Sequence, residues 1–96
     1  MMIKWNVEFK PGALKSLEKL DKPSQKRIIK YLDNLMLLDD PKLKGKPLQG
    51  MMKNLWRYRV GDYRIICEIE GKCLVIIVIH IGHRKNVYSG QNNLVN

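Results

Sequence analysis

Ninety-six residues carry 18 lysine and arginine side chains against 9 aspartate and glutamate, a formal charge of +9 at neutral pH. That length holds one cored domain rather than two, and 45% hydrophobic with 28% charged residues excludes a disordered chain. The longest apolar run, Leu74 to Ile79, is too short to cross a bilayer, and no signal-peptide pattern is present. The expectation is a small basic cytoplasmic domain without membrane contact.

The charge is local. Residues 41–65 hold Lys42, Lys44, Lys46, Lys53, Arg57, Arg59 and Arg64 against Asp62 alone, a net +6. An excess of this kind points to an anionic partner. For Lys42, Lys44 and Lys46, which form a peripheral basic loop, a solvated surface and a contact with that partner are equally good readings.

Taken in chain order, residues 2–9 alternate, with Ile3, Trp5, Val7 and Phe9 on one side, which predicts a half-buried strand. Pro11 suits the first turn of a helix, and Ala13, Leu14, Leu17 and Leu20 carry it to about Leu20. Pro23 opens a second helix. In it Ile28, Tyr31, Leu32, Leu35 and Met36 form an amphipathic stripe, until Asp39-Asp40-Pro41 stops it. A polar loop from Lys42 to about Lys53 follows. Leu55 to Val60 and Tyr63 to Glu70 then alternate around a Gly61-Asp62 turn, and Gly71-Lys72 is a second turn before Cys73 to Ile81. The last strand does not alternate over Leu74–Ile79, which predicts a central strand covered on both faces. The expected fold is α+β, in the order β-α-α-β-β-β. A helical hairpin packs on one face of a small, mainly antiparallel sheet. Residues 1–89 form the domain and 90–96 a polar tail.

Cys67 and Cys73 read as buried thiols without a disulfide role. By alternation His80 falls in the core-facing set of its strand, and His83 is placed to reach a site at the strand end. No histidine or cysteine has metal-ligand spacing.

The two-residue turn sets Arg59 directly opposite Arg64. Trp56, Tyr58, Val60, Tyr63, Ile65 and Cys67 then fill one face of the hairpin, and Arg57, Arg59 and Arg64 leave on the other. Like charges directly opposed across a ladder are destabilising. Long arginines can splay into solvent, but a cluster arranged around phosphate is the preferred reading, since guanidinium forks match phosphate oxygens. Arg84, Lys85 and Tyr88 add a second basic turn with a hydroxyl-bearing aromatic.

The stretch Leu55-Trp56-Arg57-Tyr58-Arg59-Val60-Gly61-Asp62-Tyr63-Arg64-Ile65-Ile66, followed by the apolar strand and Gly82-His83-Arg84-Lys85-Asn86-Val87-Tyr88, resembles the RelE branch of the RelE/ParE toxin superfamily. Pro47-Leu48-Gln49-Gly50 and the leucine-rich first helix agree with it. The resemblance implies a toxin paired with a cognate antitoxin. It implies cleavage of mRNA in the ribosomal A site by attack of the ribose 2′-OH on the adjacent phosphate, with no metal and no cofactor. The toxin alone would be a monomer, and the antitoxin complex a higher assembly. By position Arg64 would stabilise charge on the phosphate. Arg84 would serve the leaving oxygen as acid or charge partner, and Tyr88 would stack on or orient the base. Lys53, Arg57, Arg59, His83 and Lys85 would hold RNA phosphates. The chain departs from the family in having Leu55 and Arg57 where lysines that help activate the nucleophile often stand, which leaves the general base open. Two alternatives stay beside this reading: a ParE-like poison of DNA gyrase, and an inactive homologue that only binds its antitoxin.

Overall fold

The computed structural model describes residues 3–48 and 54–83. Strand β1 (Asn6–Phe9) leads into helices α1 (Pro11–Glu18) and α2 (Lys22–Leu35), then a 3-10 turn (Pro41–Lys44) and a two-residue strand β2 (Lys46–Pro47). Strands β3 (Leu55–Val60), β4 (Tyr63–Glu70) and β5 (Val75–His83) complete a five-stranded sheet of order β1-β5-β4-β3-β2. Only β1 and β5 run parallel. This is the expected α+β arrangement with one strand more, because β2 is too short to leave a period in the sequence.

Local chemistry explains the helix limits. Pro11 and Pro23 stand in the first turns of α1 and α2, where a missing N–H costs nothing. Asp21 caps α2 by accepting from the Ser24 amide (3.3 Å) and hydroxyl (2.8 Å), and these bonds hold its carboxyl below the ordinary aspartate pKa. In α2, Ile28, Leu32 and Leu35 are buried at i, i+4 and i+7. They meet Trp5, Ala13, Leu17, Tyr58, Val60, Ile65, Cys67, Ile69, Ile76, Val78 and Ile81 in one core between helices and sheet. Each fully buried aliphatic there contributes about 1.5–3 kcal/mol.

The β3–β4 hairpin has the predicted register: Val60 faces Tyr63 and Arg59 faces Arg64. Gly61 has φ 60° and Asp62 no positive φ, the pattern of a type II′ turn, which favours glycine first.

Three expectations need correction. The β4–β5 connection is four residues, Gly71 to Leu74, rather than two, and Leu74 takes a left-handed φ of 55°. Cys73 therefore lies in the turn and is exposed, while Cys67 is buried as expected. The apolar run is an interior strand, yet it is buried only on the helix side. Val75, Ile77 and Ile79 are half-buried on the other, and the middle position belongs to β4.

The third correction concerns His80. A bulge interrupts the β4–β5 ladder, so Ile66 pairs with His80 while Cys67 pairs with Val78. The extra residue, Ile79, inverts the alternation: Ile81 joins the core, and His80 turns to the helix-free face beside Ile66.

The two thiols should separate cleanly. Burial pushes Cys67 up to about 12, whereas Cys73 faces solvent. A disulfide reagent at mildly alkaline pH should therefore titrate one thiol rapidly in the native protein and the second only after denaturation. Two equally fast thiols would contradict this core.

Candidate functional site: a basic face and cleft

The helix-free face of the sheet can be laid out from its registers. Arg59, Arg64 and Gly82 form one row across β3, β4 and β5. Lys46, Arg57, Ile66 and His80 form the next, across β2 to β5. Two pairs of like charges are thus directly opposed, Arg59 with Arg64 and Lys46 with Arg57. The second pair arises from β2.

The arginines are not equivalent. Arg59 is exposed and Arg57 half-buried, but Arg64 is only 2% exposed. Arg64 is therefore a fixed guanidinium in the floor of the face rather than a chain splayed into water. Gly82 lies opposite it on β5 and presents no side chain. Ile66, 3% exposed and outside the helix-side core, supplies an apolar floor beside it. Glu68 and Glu70 share the face further along β4 and are half-buried.

Where β2 ends, Arg57 and Arg59 also border a cleft of about 270 Å³, completed by Lys44, Gly45, Lys46 and Tyr31 of α2. Four cations line it, and no acidic side chain does among the described residues. Of the peripheral lysines, Lys44 and Lys46 thus belong with the arginines. Lys42 does not line the cleft; its amide is bonded to the Asp40 carboxylate at 3.1 Å.

The cleft is braced by Tyr58. Its ring is fully buried, its hydroxyl donates to the Pro41 carbonyl at 2.8 Å, and Tyr31 meets it edge-on at 5.9 Å. Burial raises the pKa of both phenols, so both stay protonated. Gly45 is required by contact: a Cβ there would lie 2.8 Å from the Tyr58 ring and 3.0 Å from the Arg57 carbonyl.

His83 pairs with Tyr63 and meets its ring edge-on at 5.2 Å, on the helix side of the sheet. It does not share a face with Arg57, Arg59 and Arg64. Lys53, Arg84, Lys85 and Tyr88, together with the 90–96 tail, lie outside the described residues. Tyr31 is the residue the sequence reading missed as a site component; it stood in the α2 stripe and read as core. Among the described residues no group of three or more histidine, cysteine or acidic side chains could hold a metal ion, and no helix is long and apolar enough to cross a membrane.

Comparison with known proteins gives this architecture a class. A family profile described as the ParE toxin of the type II toxin–antitoxin system, parDE, matches residues 7–88. The curated toxin RelE3 of Methanocaldococcus jannaschii is 41% identical over 83 residues, covering 86% of this chain and 83% of that one. Among solved structures, the archaeal RelE–RelB complex from Pyrococcus horikoshii aligns with a TM-score of 0.72 at 28% identity, over 85% of this chain and 97% of that one. The RelBE2 toxin–antitoxin complex of Mycobacterium tuberculosis has the same fold, with a TM-score of 0.75 at 24% identity over 88% and 95% of the two chains.

The fold and the family match are those of the toxin half of a type II toxin–antitoxin pair. Within that class, the chain belongs to the RelE/ParE toxin superfamily and is RelE-like.

The brace makes the cleft testable. Tyr58→Phe should cost about 1–2 kcal/mol in urea unfolding, because it leaves the Pro41 carbonyl without its donor. Gly45→Ala should cost at least as much, since the Tyr58 ring and the Arg57 carbonyl leave no room for its Cβ. Unchanged stability in both variants would contradict the brace.

Proposed function

We propose that this protein is a toxin that cleaves messenger RNA in the ribosomal A site, by attack of a ribose 2′-OH on the adjacent phosphate. One observation carries the proposal: two directly opposed cation pairs and a buried guanidinium converge on one face of a rigid sheet. Such an arrangement is unfavourable alone and favourable around a polyanion.

In-line displacement at phosphorus concentrates negative charge on the non-bridging oxygens, and preorganised donors aimed at that charge act strongly where water is excluded. Arg64 fills this role: its guanidinium is held in the floor by the strand and by its burial, so little reorganisation accompanies the reaction. Arginine stays protonated at any working pH, so its contribution is electrostatic. Arg57 supplies charge where lysines often stand in the family. Lys44, Lys46 and Arg59 hold neighbouring phosphates, and Lys42 adds salt-sensitive attraction to ribosomal RNA. Arg84, at the leaving oxygen, and Tyr88, against the base, complete the site in this reading, with Lys53 and Lys85 as further phosphate contacts.

The partner that silences such a face is an antitoxin. An acidic or amphipathic segment would cover the cations that RNA otherwise occupies. The relatives from P. horikoshii and M. tuberculosis were solved as complexes with their antitoxins, which supports the same pairing here. A ribosomal target places the working protein in the cytoplasm. A gyrase-directed reading is favoured by one observation, the match to the ParE profile; the extent of the RelE relatives and the basic face favour RNA.

Inducing the toxin and mapping 5′ ends of translated messages alongside DNA breaks decides between them. Codon-phased cuts should appear. They should fall about 10²–10³-fold in Arg64→Ala, and be reduced in Arg84→Ala and Tyr88→Phe, while Arg64→Lys retains part of the activity. DNA breakage with intact messages would establish the gyrase reading instead.

A further inference from the structure

We propose that His80 is a catalytic residue of this site, the general base that accepts the proton of the attacking 2′-hydroxyl; the proposal rests on the endoribonuclease reading above.

The bulge in β5 sets the orientation of His80. Without it, His80 would continue the Ile76–Val78 set into the core. The extra residue at Ile79 instead places His80 across from Ile66 on the basic face. Bulges re-aim side chains and are frequent beside active sites. Ile66 then stands at the centre of a ring: Arg57 directly across on β3, His80 directly across on β5, Arg64 and Glu68 two residues either way on β4.

Directly opposed Cβ atoms are about 5 Å apart and diagonal ones about 7–8 Å. A phosphate seated on this ring, over the side chains that cover Ile66, is therefore within reach of Arg57, with the Arg64 charge close below it. The ribose on its β5 side comes within reach of the imidazole. Arg57 and His80, two strands apart, flank the phosphate at about 10 Å.

The charged groups facing His80 favour this role. On β4 they are Arg64 and, further along, Glu68. On β3 and β2 they are Arg57 and Lys46, beyond Ile66. Strand β1 contributes Glu8 opposite Ile77 and ends at Phe9 opposite Val78; just past it Lys10, whose amide donates to the Val78 carbonyl at 2.9 Å, adds a further cation at that end of the strand. The residue is half-buried, and burial pushes its pKa below the ordinary histidine value. An imidazole kept neutral at physiological pH has the lone pair a base needs.

The step balances without a co-reactant beyond water. An imidazole nitrogen takes the 2′-hydroxyl proton, the 2′-oxygen forms its bond to phosphorus, and the bond from phosphorus to the 5′-oxygen breaks. That oxygen takes a proton from water, and the imidazolium returns its proton to solvent. The products are a 2′,3′-cyclic phosphate and a 5′-hydroxyl.

The test is single-turnover cleavage of messenger RNA on a ribosome with an empty A site, by wild type, His80→Ala and His80→Gln, from about pH 5 to pH 9. The base works deprotonated, so the wild-type rate should rise with pH and level off, with its limb below the ordinary histidine value of about 6.5. Both variants should lose about 10²–10³-fold in rate. They should also lose that acid limb and retain ribosome binding and a near-wild-type melting temperature. Added imidazole should restore part of the rate to His80→Ala, which a structural role would not allow. A folded His80→Gln protein that cleaves at the wild-type rate, or one that is slow but keeps the acid limb, overturns the proposal. Wild-type toxin that leaves the message intact would instead remove the endoribonuclease reading itself.

Discussion

The register of one hairpin governs the site. With Gly61-Asp62 as a two-residue turn, Tyr58, Val60, Tyr63 and Ile65 point into the helices, and Arg57, Arg59 and Arg64 point away from them. A slip by one residue would exchange the faces, placing guanidiniums in the core and aromatics in solvent. No intermediate register exists, so the core and the basic face are specified by the same constraint. The burial of Tyr58, Val60 and Ile65 holds the arginines against their own repulsion.

The remaining elements extend that face. The 3-10 turn and β2 deliver Lys44 and Lys46 to the open side of β3, guided by the bond from Tyr58 to Pro41 and the close approach of Gly45. The bulge in β5 adds His80 from the opposite side. Each device acts on a boundary of β3 or β5, while β4 keeps Arg64 fixed between them. Charges gathered this way raise local anion concentration and speed encounter with RNA or an acidic segment.

Much of this was legible in the sequence. Regular alternation around Gly61-Asp62 gave both the strands and the opposition of Arg59 to Arg64, because period 2 and a two-residue turn leave one register. The helices were legible through Pro11, Pro23 and the Ile28–Leu35 stripe. What was hidden had no period to reveal it. Two residues of β2 carry none, so the Lys46–Arg57 pair was missed. The unbroken apolar run of β5 looks alike from both faces, so neither the bulge nor the true orientation of His80 could be read from it. Cys73 and Leu74 continue the hydrophobic pattern but lie in the turn, with Leu74 in a left-handed conformation that no propensity favours. Tyr31 sits on the border of its stripe, where an aromatic serves core and cleft at once.

That the hairpin's opposed arginines are unfavourable alone and stabilised by a polyanion is a measurable property. It is tested most directly by urea unfolding of wild type and Arg59→Gln at low salt, with and without a short single-stranded RNA. Arg59 is exposed, so its replacement disturbs no packing. The free variant should be more stable than wild type, by about 0.2–1 kcal/mol, and RNA should stabilise it less. A free variant less stable than wild type, or equal stabilisation of both proteins by RNA, would contradict it.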